Sequence, residues 1–285
     1  MTSIEDYGSF KTAWCPGCGN FAILKTVKKA LVALDLRPHQ VLFVAGIGQA
    51  AKAPHYLKAN LFNGLHGRAL PVATGARLAN PELKIIVQSG DGCTYGEGGN
   101  HLLAAIRRNV DVTLLVHNNH VYALTKGQAS PTSTRDDGFV KKAQPEGAFS
   151  GHFNPVEAAI ALGAGFVARG FTGEVDHLSE LIQKAVAYSG FALVDILQPC
   201  VSFNEVDIFQ WYKERCYLIS SEHDVTDRAA ALELAGQWGE RIPLGIFRRI
   251  ERPSFEDRFH CLNNGPLALQ TVEKLKLEGI MKLYE

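Results

Sequence analysis

Two polar residues that could bind a metal ion follow successive apolar segments in the middle of the chain. Asp91 comes directly after the apolar run 84–88, and Asn119 follows a second such run. A helix-length segment separates the two runs, so they predict a β-α-β unit whose parallel strands end at the same edge of a sheet. A carboxylate, an amide oxygen and a main-chain carbonyl suit Mg²⁺, which usually takes few protein ligands and completes its octahedron with phosphate oxygens and water. The spacing therefore predicts a hard-cation site at this edge.

Glycines on both sides of Asp91 indicate which ligand would accompany the cation. Gly90 and Gly92 let the backbone approach a diphosphate closely. A helix that begins near Gly98 would direct its free N–H groups toward the same ligand. An Asp-Gly pair alone is a common turn, so this interpretation depends on the second polar segment after the second strand.

That second segment is Asn118-Asn119-His120-Val121. Together with the glycines around Asp91 it resembles the diphosphate-binding motif of thiamine diphosphate enzymes. The resemblance implies that Asp91, Asn119 and the main-chain carbonyl of Val121 hold Mg²⁺.

Composition narrows the class of protein. The chain has 285 residues, of which 46% are hydrophobic, and its net charge is +0. This length and composition are ordinary for a globular protein with a sizeable core. The charge balance argues against nucleic-acid binding, which relies on many cationic contacts. Residues 1–11 lack the apolar run of a secretory signal, and no apolar span reaches membrane length, so we expect a cytoplasmic protein that does not enter a membrane.

The cysteines form one close pair and four isolated residues. Cys15 and Cys18 enclose Pro16-Gly17, a tight turn that directs two thiols the same way. Such a turn serves as a redox pair, as half of a zinc site or as half of an iron–sulfur ligand set. The others are scattered at Cys93, Cys200, Cys216 and Cys261. Six cysteines are too few for a disulfide scaffold in a chain of this size, and reduced thiols are expected in the cytosol.

A glycine-rich turn follows the predicted strand 41–45. The segment 46–51, Gly-Ile-Gly-Gln-Ala-Ala, is close to a dinucleotide-binding fingerprint, which also needs an acidic residue about twenty positions later. Residues 36–81 contain no Asp or Glu, so a second close-approach turn at the carboxyl edge is the better interpretation. Lys52 beside this turn either meets an anionic substrate or phosphate, or is a solvated side chain.

Alternating strands and helices continue along most of the chain. Helices are predicted over 21–34, 65–76, 155–162 and 176–188, and strands over 166–168 and 191–197. In the 65–76 segment, His66 is either a group facing a cofactor or a satisfied buried histidine. The polar run 125–133 and the charged loop to about residue 151 predict a lid or a contact surface.

These elements predict a doubly wound, mostly parallel α/β domain over residues 1–200, with an extension over 201–285 that wraps the core or a partner. Within the extension, a helix is predicted over 226–238 and a strand over 244–247.

The order of the motifs resembles the beta subunits of 2-oxoacid:ferredoxin oxidoreductases. The resemblance covers nearly the whole chain and is carried by the cysteine turn, the Gly-Ile-Gly turn, His66-Gly67-Arg68, the diphosphate motif, the segment 125–132 and Pro199-Cys200. It implies the diphosphate-binding half of a thiamine diphosphate fold. It also implies an enzyme that decarboxylates a 2-oxoacid, passes electrons singly through a [4Fe–4S] cluster to ferredoxin, and releases an acyl-coenzyme A.

The resemblance also assigns residues. Cofactor contacts fall on Gly46, Ile47, Gly48, His66, Gly67, Gly90, Asp91, Gly92, Asn119, Val121, Tyr122 and Leu124, and catalytic or substrate contacts on Lys52, Leu124 and His66. The Lys-Gly-Gln-Ala-Ser-Pro-Thr form of the 126–132 segment and the position of Lys52 favour 2-oxoglutarate over pyruvate or a broad range of 2-oxoacids. The glutamate that protonates the aminopyrimidine ring comes from an alpha subunit in this family. A heterodimer, paired again as a dimer of heterodimers, is therefore expected.

One cluster ligand departs from the family pattern. Cys15, Cys18 and Cys200 match three cluster thiolates, but the fourth position, normally a cysteine after Gly-Ile-Gly, is Gln49. Glutamine is a poor iron ligand beside thiolates. Our hypothesis from the sequence is that Cys93, next to the Gly90-Asp91-Gly92 loop, replaces the missing cysteine.

Three other classes remain open from the sequence. A non-oxidative thiamine diphosphate decarboxylase or synthase would use the same cation site without a cluster. A non-catalytic subunit would bind structural zinc through its cysteines, and a nicotinamide dehydrogenase would use the turn 46–51.

Overall fold

The computed structural model describes residues 1–133, 144, 148, 150–204, 208–271 and 274–284. The predicted lid or contact loop therefore lies mostly outside the described residues between 134 and 149. Within these ranges no helix has the length and apolar character needed to span a membrane.

The described strands, in chain order, are β1 (Val41–Ala45), β2 (Asn60–Asn63), β3 (Lys84–Gly90), β4 (Val112–Asn118), β5 (Val121–Tyr122), β6 (Gln128–Ala129), β7 (Phe166–Phe171), β8 (Phe191–Leu197), β9 (Cys216–Leu218) and β10 (Ile242–Arg249). The α-helices are α1 (Asn20–Ala33), α2 (Ala69–Ala79), α3 (Gly99–Arg108), α4 (Pro155–Ala161), α5 (Val175–Ala187), α6 (Phe209–Arg215), α7 (Arg228–Ala235) and α8 (Lys274–Met281).

Among the described residues, eight strands form one sheet in the order β2-β1-β3-β4-β8-β7-β10-β9. The first six strands in this order, β2, β1, β3, β4, β8 and β7, are mutually parallel. The next strand, β10, pairs antiparallel to β7. Strands β4, β7 and β8 are buried along their whole length, as expected for near-continuous apolar runs covered on both faces.

Helices cover both faces of this sheet. One apolar core includes residues of α2, α3, α4 and α7, and the other includes residues of α1 and α5. The predicted doubly wound, mostly parallel α/β architecture is confirmed. The sheet thus places the loops after β1, β3, β4 and β8 side by side, because these four strands are consecutive neighbours.

One predicted helix needs correction. The helix expected over 65–76 begins at Ala69, because Gly67 adopts a φ of 69° in a turn before it. The helix expected to begin near Gly98 is confirmed, because α3 begins at Gly99 after a π-helical turn over Gly92–Glu97. Segment Ala50–Tyr56 is a 3₁₀ helix, whereas a dinucleotide fingerprint opens an α-helix at this place.

The extension contributes to the same sheet through β10, which pairs with β7. Ion pairs also hold the extension to the core, because Arg77 of α2 lies 2.7 Å from an Asp111 oxygen and 3.3 Å from an oxygen of Glu256 in the extension. The strand expected over 244–247 is longer and spans Ile242–Arg249. The helix expected over 226–238 is shorter and spans Arg228–Ala235, and the Asp227 side chain caps its N-terminus. The domain boundary at residue 200 stays a prediction.

Candidate active site

A pocket opens at the carboxyl edge of the sheet, where β1, β3, β4 and β8 end together. Open parallel sheets bind their ligands at this edge. The pocket has about 540 Å³ of empty space, including its mouth. Its lining contains most of the predicted cofactor residues, namely Ile47, Gly48, His66, Gly90, Asp91, Gly92, Asn119, Val121, Tyr122 and Leu124.

Asp91 is firmly held in this pocket. Its side chain is buried, and its Oδ2 accepts hydrogen bonds from Ser130 Oγ at 2.6 Å and from Thr132 Oγ1 at 2.7 Å. Burial raises the pKa of Asp91 to about 6, although the two hydroxyl donors lower it. Both donors bind the same oxygen, so they orient the carboxylate without engaging Oδ1.

A buried polar chain continues behind Asp91. Thr132 Oγ1 also lies 2.9 Å from Asn118 Oδ1, and its one hydrogen is donated to one acceptor at a time. Asn118 Nδ2 donates to Asp195, which also accepts a 2.8 Å hydrogen bond from Tyr95. Arg169 balances the buried Asp195 charge, with its Nε 3.9 Å from Asp195 Oδ2. Buried polar groups arranged in this way fix one another's positions.

The loop after β4 brings the other two predicted cation ligands to the same pocket. Asn119 and Val121 both line it, and Asn119 Oδ1 accepts the Val121 N–H at 3.0 Å. His120 between them has a φ of 60°, and burial lowers its pKa to about 3. The short hairpin of β5 and β6 then turns the chain back, so that Ser130 and Thr132 reach Asp91.

The pocket fits a magnesium diphosphate in its space and in its donors. A Cβ added at Gly48, where φ is 117°, would meet no atom within 4 Å, and one added at Gly90 would meet its nearest atom at 3.9 Å. These two glycines therefore leave a cradle open toward the pocket. Gly92 has a different role, because a Cβ there would overlap the Tyr122 ring, which packs directly against its backbone. One carboxylate and one amide oxygen suit a hard cation.

His66 lies at the rim of the pocket. Its side chain is 36% exposed, and its Nδ1 lies 2.9 Å from a Glu97 oxygen. It is therefore not the buried histidine that was one interpretation of the sequence. The expected helix N-terminus near Gly98 does not line the pocket, whereas Gly92 and Cys93 of the preceding turn do.

Three other predicted residues lie around this pocket. Gly46 and Gly67 do not line it, but both approach Cys93, which does. Lys52 lines an adjoining open cavity with His55, Tyr56 and Asn63. Ile47, Gly48 and Leu124 line both cavities, so Lys52 adjoins the pocket that contains Asp91.

A cysteine pocket adjoins the first one on another side. Its lining brings together Cys15, Cys18 and Cys200 with Gln49, and it shares Asn20, Gln49, Asn119, Ala123, Leu124 and Gln198 with the Asp91 pocket. Burial raises the pKa of the Cys18 thiol, and the charges of Cys200 and Cys15 raise it further. No three His, Cys, Asp or Glu side chains among the described residues are placed to hold a single metal ion.

Cys93 does not line the cysteine pocket. It is buried, and its Sγ accepts the N–H of Ile47 at 3.4 Å and that of Gly67 at 3.2 Å. It lines the Asp91 pocket instead. The structure therefore does not bring Cys93 to the other three cysteines, and its assignment as a cluster ligand stays a prediction that this geometry disfavours.

Several residues of the site were missed in the sequence. Ser130 and Thr132 stood in a motif that was noted only for its resemblance, and a hydroxyl pair beside a predicted carboxylate was the available signal. Asn118 stood in the Asn118-Asn119-His120-Val121 motif without a role of its own. Nothing in the sequence marked the others, which are Asn20, His117, Asp195 and Gln198. Burial lowers the pKa of His117 to about 3, and its ring accordingly serves as a neutral partner of Asn20 at 2.7 Å.

Comparison with known proteins decides the family. Residues 40–196 match the model described as thiamine pyrophosphate enzyme, C-terminal TPP binding domain, and residues 200–264 match the model for the C-terminal part of the pyruvate ferredoxin oxidoreductase beta subunit. The chain is 42% identical to the beta subunit of 2-oxoacid:ferredoxin oxidoreductase 1 of Aeropyrum pernix, over 92% of this chain and 87% of that one. The chain belongs to the 2-oxoacid:ferredoxin oxidoreductase beta subunits.

Two further comparisons support the same family assignment. The 2-oxoglutarate oxidoreductase subunit KorB of Mycobacterium tuberculosis is 38% identical, over 86% of this chain and 77% of that one. The structure matches that of a 2-oxoglutarate:ferredoxin oxidoreductase from Magnetococcus marinus, solved with 2-oxoglutarate, coenzyme A and succinyl-CoA bound. That match has a TM-score of 0.91 at 33% identity and covers 100% of this chain and 96% of the other. The family predicted from the motifs is confirmed.

Proposed function

We propose that this chain is the beta subunit of an enzyme that oxidatively decarboxylates 2-oxoglutarate to an acyl-coenzyme A and CO₂, with ferredoxin as electron acceptor. The observation that carries the proposal is the convergence of Asp91, Asn119 and Val121 in one pocket of a chain from this family. Their donors suit Mg²⁺ bridged to a diphosphate, and Gly48 and Gly90 leave room for that group.

The protein's own task at this site is to bind and orient. When bound, thiamine diphosphate supplies an electron sink for the charge left on a 2-oxoacid as CO₂ departs. Asp91 and Asn119 would hold the cation, and Ser130 and Thr132 keep the carboxylate of Asp91 in one orientation. His66, oriented by Glu97, would present a polar group at the cofactor edge of the pocket.

Electron transfer is supported by the adjacency of the two pockets. The Asp91 pocket and the cysteine pocket share Gln49, Asn119 and Leu124 among their lining residues. Cys15, Cys18 and Cys200 would therefore hold an iron–sulfur cluster next to the site of decarboxylation. When bound, that cluster would supply a one-electron acceptor between this site and ferredoxin.

The proposal includes an alpha subunit. The described residues that line the Asp91 pocket include no glutamate, which is the residue expected to protonate the aminopyrimidine ring. A heterodimer in which the alpha subunit supplies that glutamate, paired again as a dimer of heterodimers, would complete the site. This chain alone should then show little activity.

Lys52 supports the choice of substrate. Its cavity adjoins the Asp91 pocket and also contains His55 and Asn63, so a second carboxylate on the substrate would meet a cation there. Pyruvate has no such carboxylate. Leu124 forms a common wall of both cavities and would contact the carbon chain between the two ends of the substrate.

The proposal is tested on the complex with the alpha subunit, purified without oxygen and supplied with thiamine diphosphate, Mg²⁺, coenzyme A and ferredoxin. For Lys52→Ala we expect the KM for 2-oxoglutarate to rise about 10- to 100-fold, since a hydrogen bond to a charged group contributes roughly 1.5–3 kcal/mol. Lys58→Ala, at an exposed lysine outside both cavities, is the matched control.

Three results would contradict parts of this proposal. An unchanged KM for 2-oxoglutarate in Lys52→Ala would remove the substrate assignment. A complex that releases CO₂ from 2-oxoglutarate without reducing ferredoxin would be a non-oxidative enzyme. Full activity of this chain without the alpha subunit would exclude the shared active site.

A further inference from the structure

Gln49 occupies the place in the cysteine pocket where a fourth thiolate would be needed. It lines this pocket together with Cys15, Cys18 and Cys200, and it also lines the Asp91 pocket. Its Oε1 is buried and has no hydrogen-bond partner among the described residues. An unsatisfied buried acceptor of this kind is costly, so it is expected to have a partner in the working protein.

Cys93 already has partners elsewhere. Its Sγ accepts two backbone N–H groups, from Ile47 and Gly67, and a Cβ at Gly46 would overlap it. The sulfur is therefore enclosed by the turn after β1 and the turn before α2. Movement toward the cysteine pocket would leave both N–H groups unpaired.

The three cysteines are also not arranged for one ion. A single zinc would draw thiolates to about 2.3 Å from one centre. Within the described ranges, no three such side chains are close enough for that. A four-iron cluster binds each thiolate at a different iron and so tolerates wider spacing. Ser202 Oγ donates to Cys15 Sγ at 3.2 Å, and Gln198 Nε2 donates to Cys18 Sγ at 3.4 Å.

We infer that Cys15, Cys18 and Cys200 hold the cluster of this chain by three thiolates, and that its fourth iron faces the amide oxygen of Gln49. The inference rests on the proposed function, because it concerns the electron-accepting group of that reaction. It assigns the fourth ligand position of the cluster to Gln49 instead of Cys93.

A chemical consequence follows from the weaker ligand. An amide oxygen is a harder and weaker donor to iron than a thiolate, so the fourth iron is the one that leaves on oxidation. The oxidised cluster contains two ferric and two ferrous ions. Removal of one electron by ferricyanide, with release of one ferrous ion, leaves three ferric ions in a three-iron cluster. The iron atoms and the charge balance in this step.

The experiment uses the complex with the alpha subunit, purified without oxygen. The complex is titrated with ferricyanide, and the three-iron cluster is followed by electron paramagnetic resonance, with iron counted before and after gel filtration. We expect wild type to lose about one quarter of its iron and to develop the three-iron signal. Gln49→Cys, which supplies a fourth thiolate, should keep its iron under the same titration.

Two matched variants separate the alternatives. Gln49→Ser has the size of the cysteine variant but only an oxygen, so it should lose iron as wild type does. Cys93→Ser should start with the iron content of wild type and lose the same fraction. Iron already missing from purified Cys93→Ser would identify Cys93 as the fourth ligand and overturn the inference. So would a wild-type cluster that resists ferricyanide as firmly as that of Gln49→Cys.

Thiamine diphosphate content, measured on the same samples, distinguishes this inference from the proposed function. Wild type with bound thiamine diphosphate but no iron would overturn the three-thiolate cluster while leaving the cation site intact. Wild type that binds neither group would contradict both.

Discussion

The Asp91 site and the cysteine pocket share residues but are built in opposite ways. Asp91 is buried and receives two hydroxyl donors from the segment after β6, and Asn118 and Asp195 extend the chain behind it. In the cysteine pocket, Cys15 is exposed and accepts a hydrogen bond from Ser202, and Cys18 accepts hydrogen bonds from Gln198 and from the backbone of Asn20. The proposed cation site is therefore organised by hydrogen bonds within the chain, and we expect the cysteines to depend more on a bound cluster.

Electrostatics explains the difference. A buried carboxylate is costly unless it is hydrogen-bonded, so the protein itself must satisfy Asp91. Several thiolates in one pocket repel one another, and burial and neighbouring charge both raise the pKa of Cys18. A bound cationic cluster would remove that repulsion and favour the thiolate form. The two regions should therefore respond separately to mutation, apart from Gln49, Asn119 and the other residues that they share.

The largest expected effect is on the cluster. Cys18→Ser should bring the iron content of the anaerobic complex close to zero, because it removes one of three thiolates from a site with little other support. Thiamine diphosphate affinity, measured by calorimetry with Mg²⁺ present, should stay within about 2-fold of wild type, since Cys18 does not line the Asp91 pocket. Cys261→Ser, at an exposed cysteine outside both pockets, is the control. A parallel loss of thiamine diphosphate binding would show that the regions are not independent.

The next effect is on the cation site. Asp91→Asn removes the only carboxylate that lines the pocket among the described residues. We expect the affinity for thiamine diphosphate with Mg²⁺ to fall on the order of 100-fold, above the usual effect of an outer-shell partner. Iron content should be unchanged. Asp176→Asn, at an exposed position, controls for the loss of a charge. Affinity equal to wild type would exclude Asp91 as a cation ligand.

A smaller effect tests the organisation of the cation site. Thr132→Val keeps the shape of the side chain but removes the hydroxyl that donates to Asp91 Oδ2. The affinity for thiamine diphosphate with Mg²⁺ should fall about 10-fold, as is typical when a group that orients a metal ligand is lost. Thr132→Ser, which retains the hydroxyl, should recover most of that affinity. If both variants bind equally well, the hydroxyl does not position Asp91.

Much of the fold could be predicted because its signals are local. The buried strands are continuous apolar runs, and the residues that follow β3 and β4 had to lie at one edge of a parallel sheet. The start of α2 was misplaced because the turn at Gly67 depends on its close approach to Glu97, which is distant in sequence. Adjacency to the Asp91 loop likewise did not reveal that the Cys93 sulfur accepts the N–H groups of Ile47 and Gly67.

The amino-acid sequence by itself determined which chemistry is available: a carboxylate and an amide after two strands, a cysteine turn, and a glutamine in place of a fourth cysteine. These features depend on residue type and on short-range spacing. Only the tertiary structure decided which groups meet. Ser130 and Thr132 reach Asp91 because the β5–β6 hairpin turns the chain back, and Cys93 is enclosed by backbone N–H groups from two separate turns. Such contacts depend on the path of loops in space, which no local pattern in the sequence specifies.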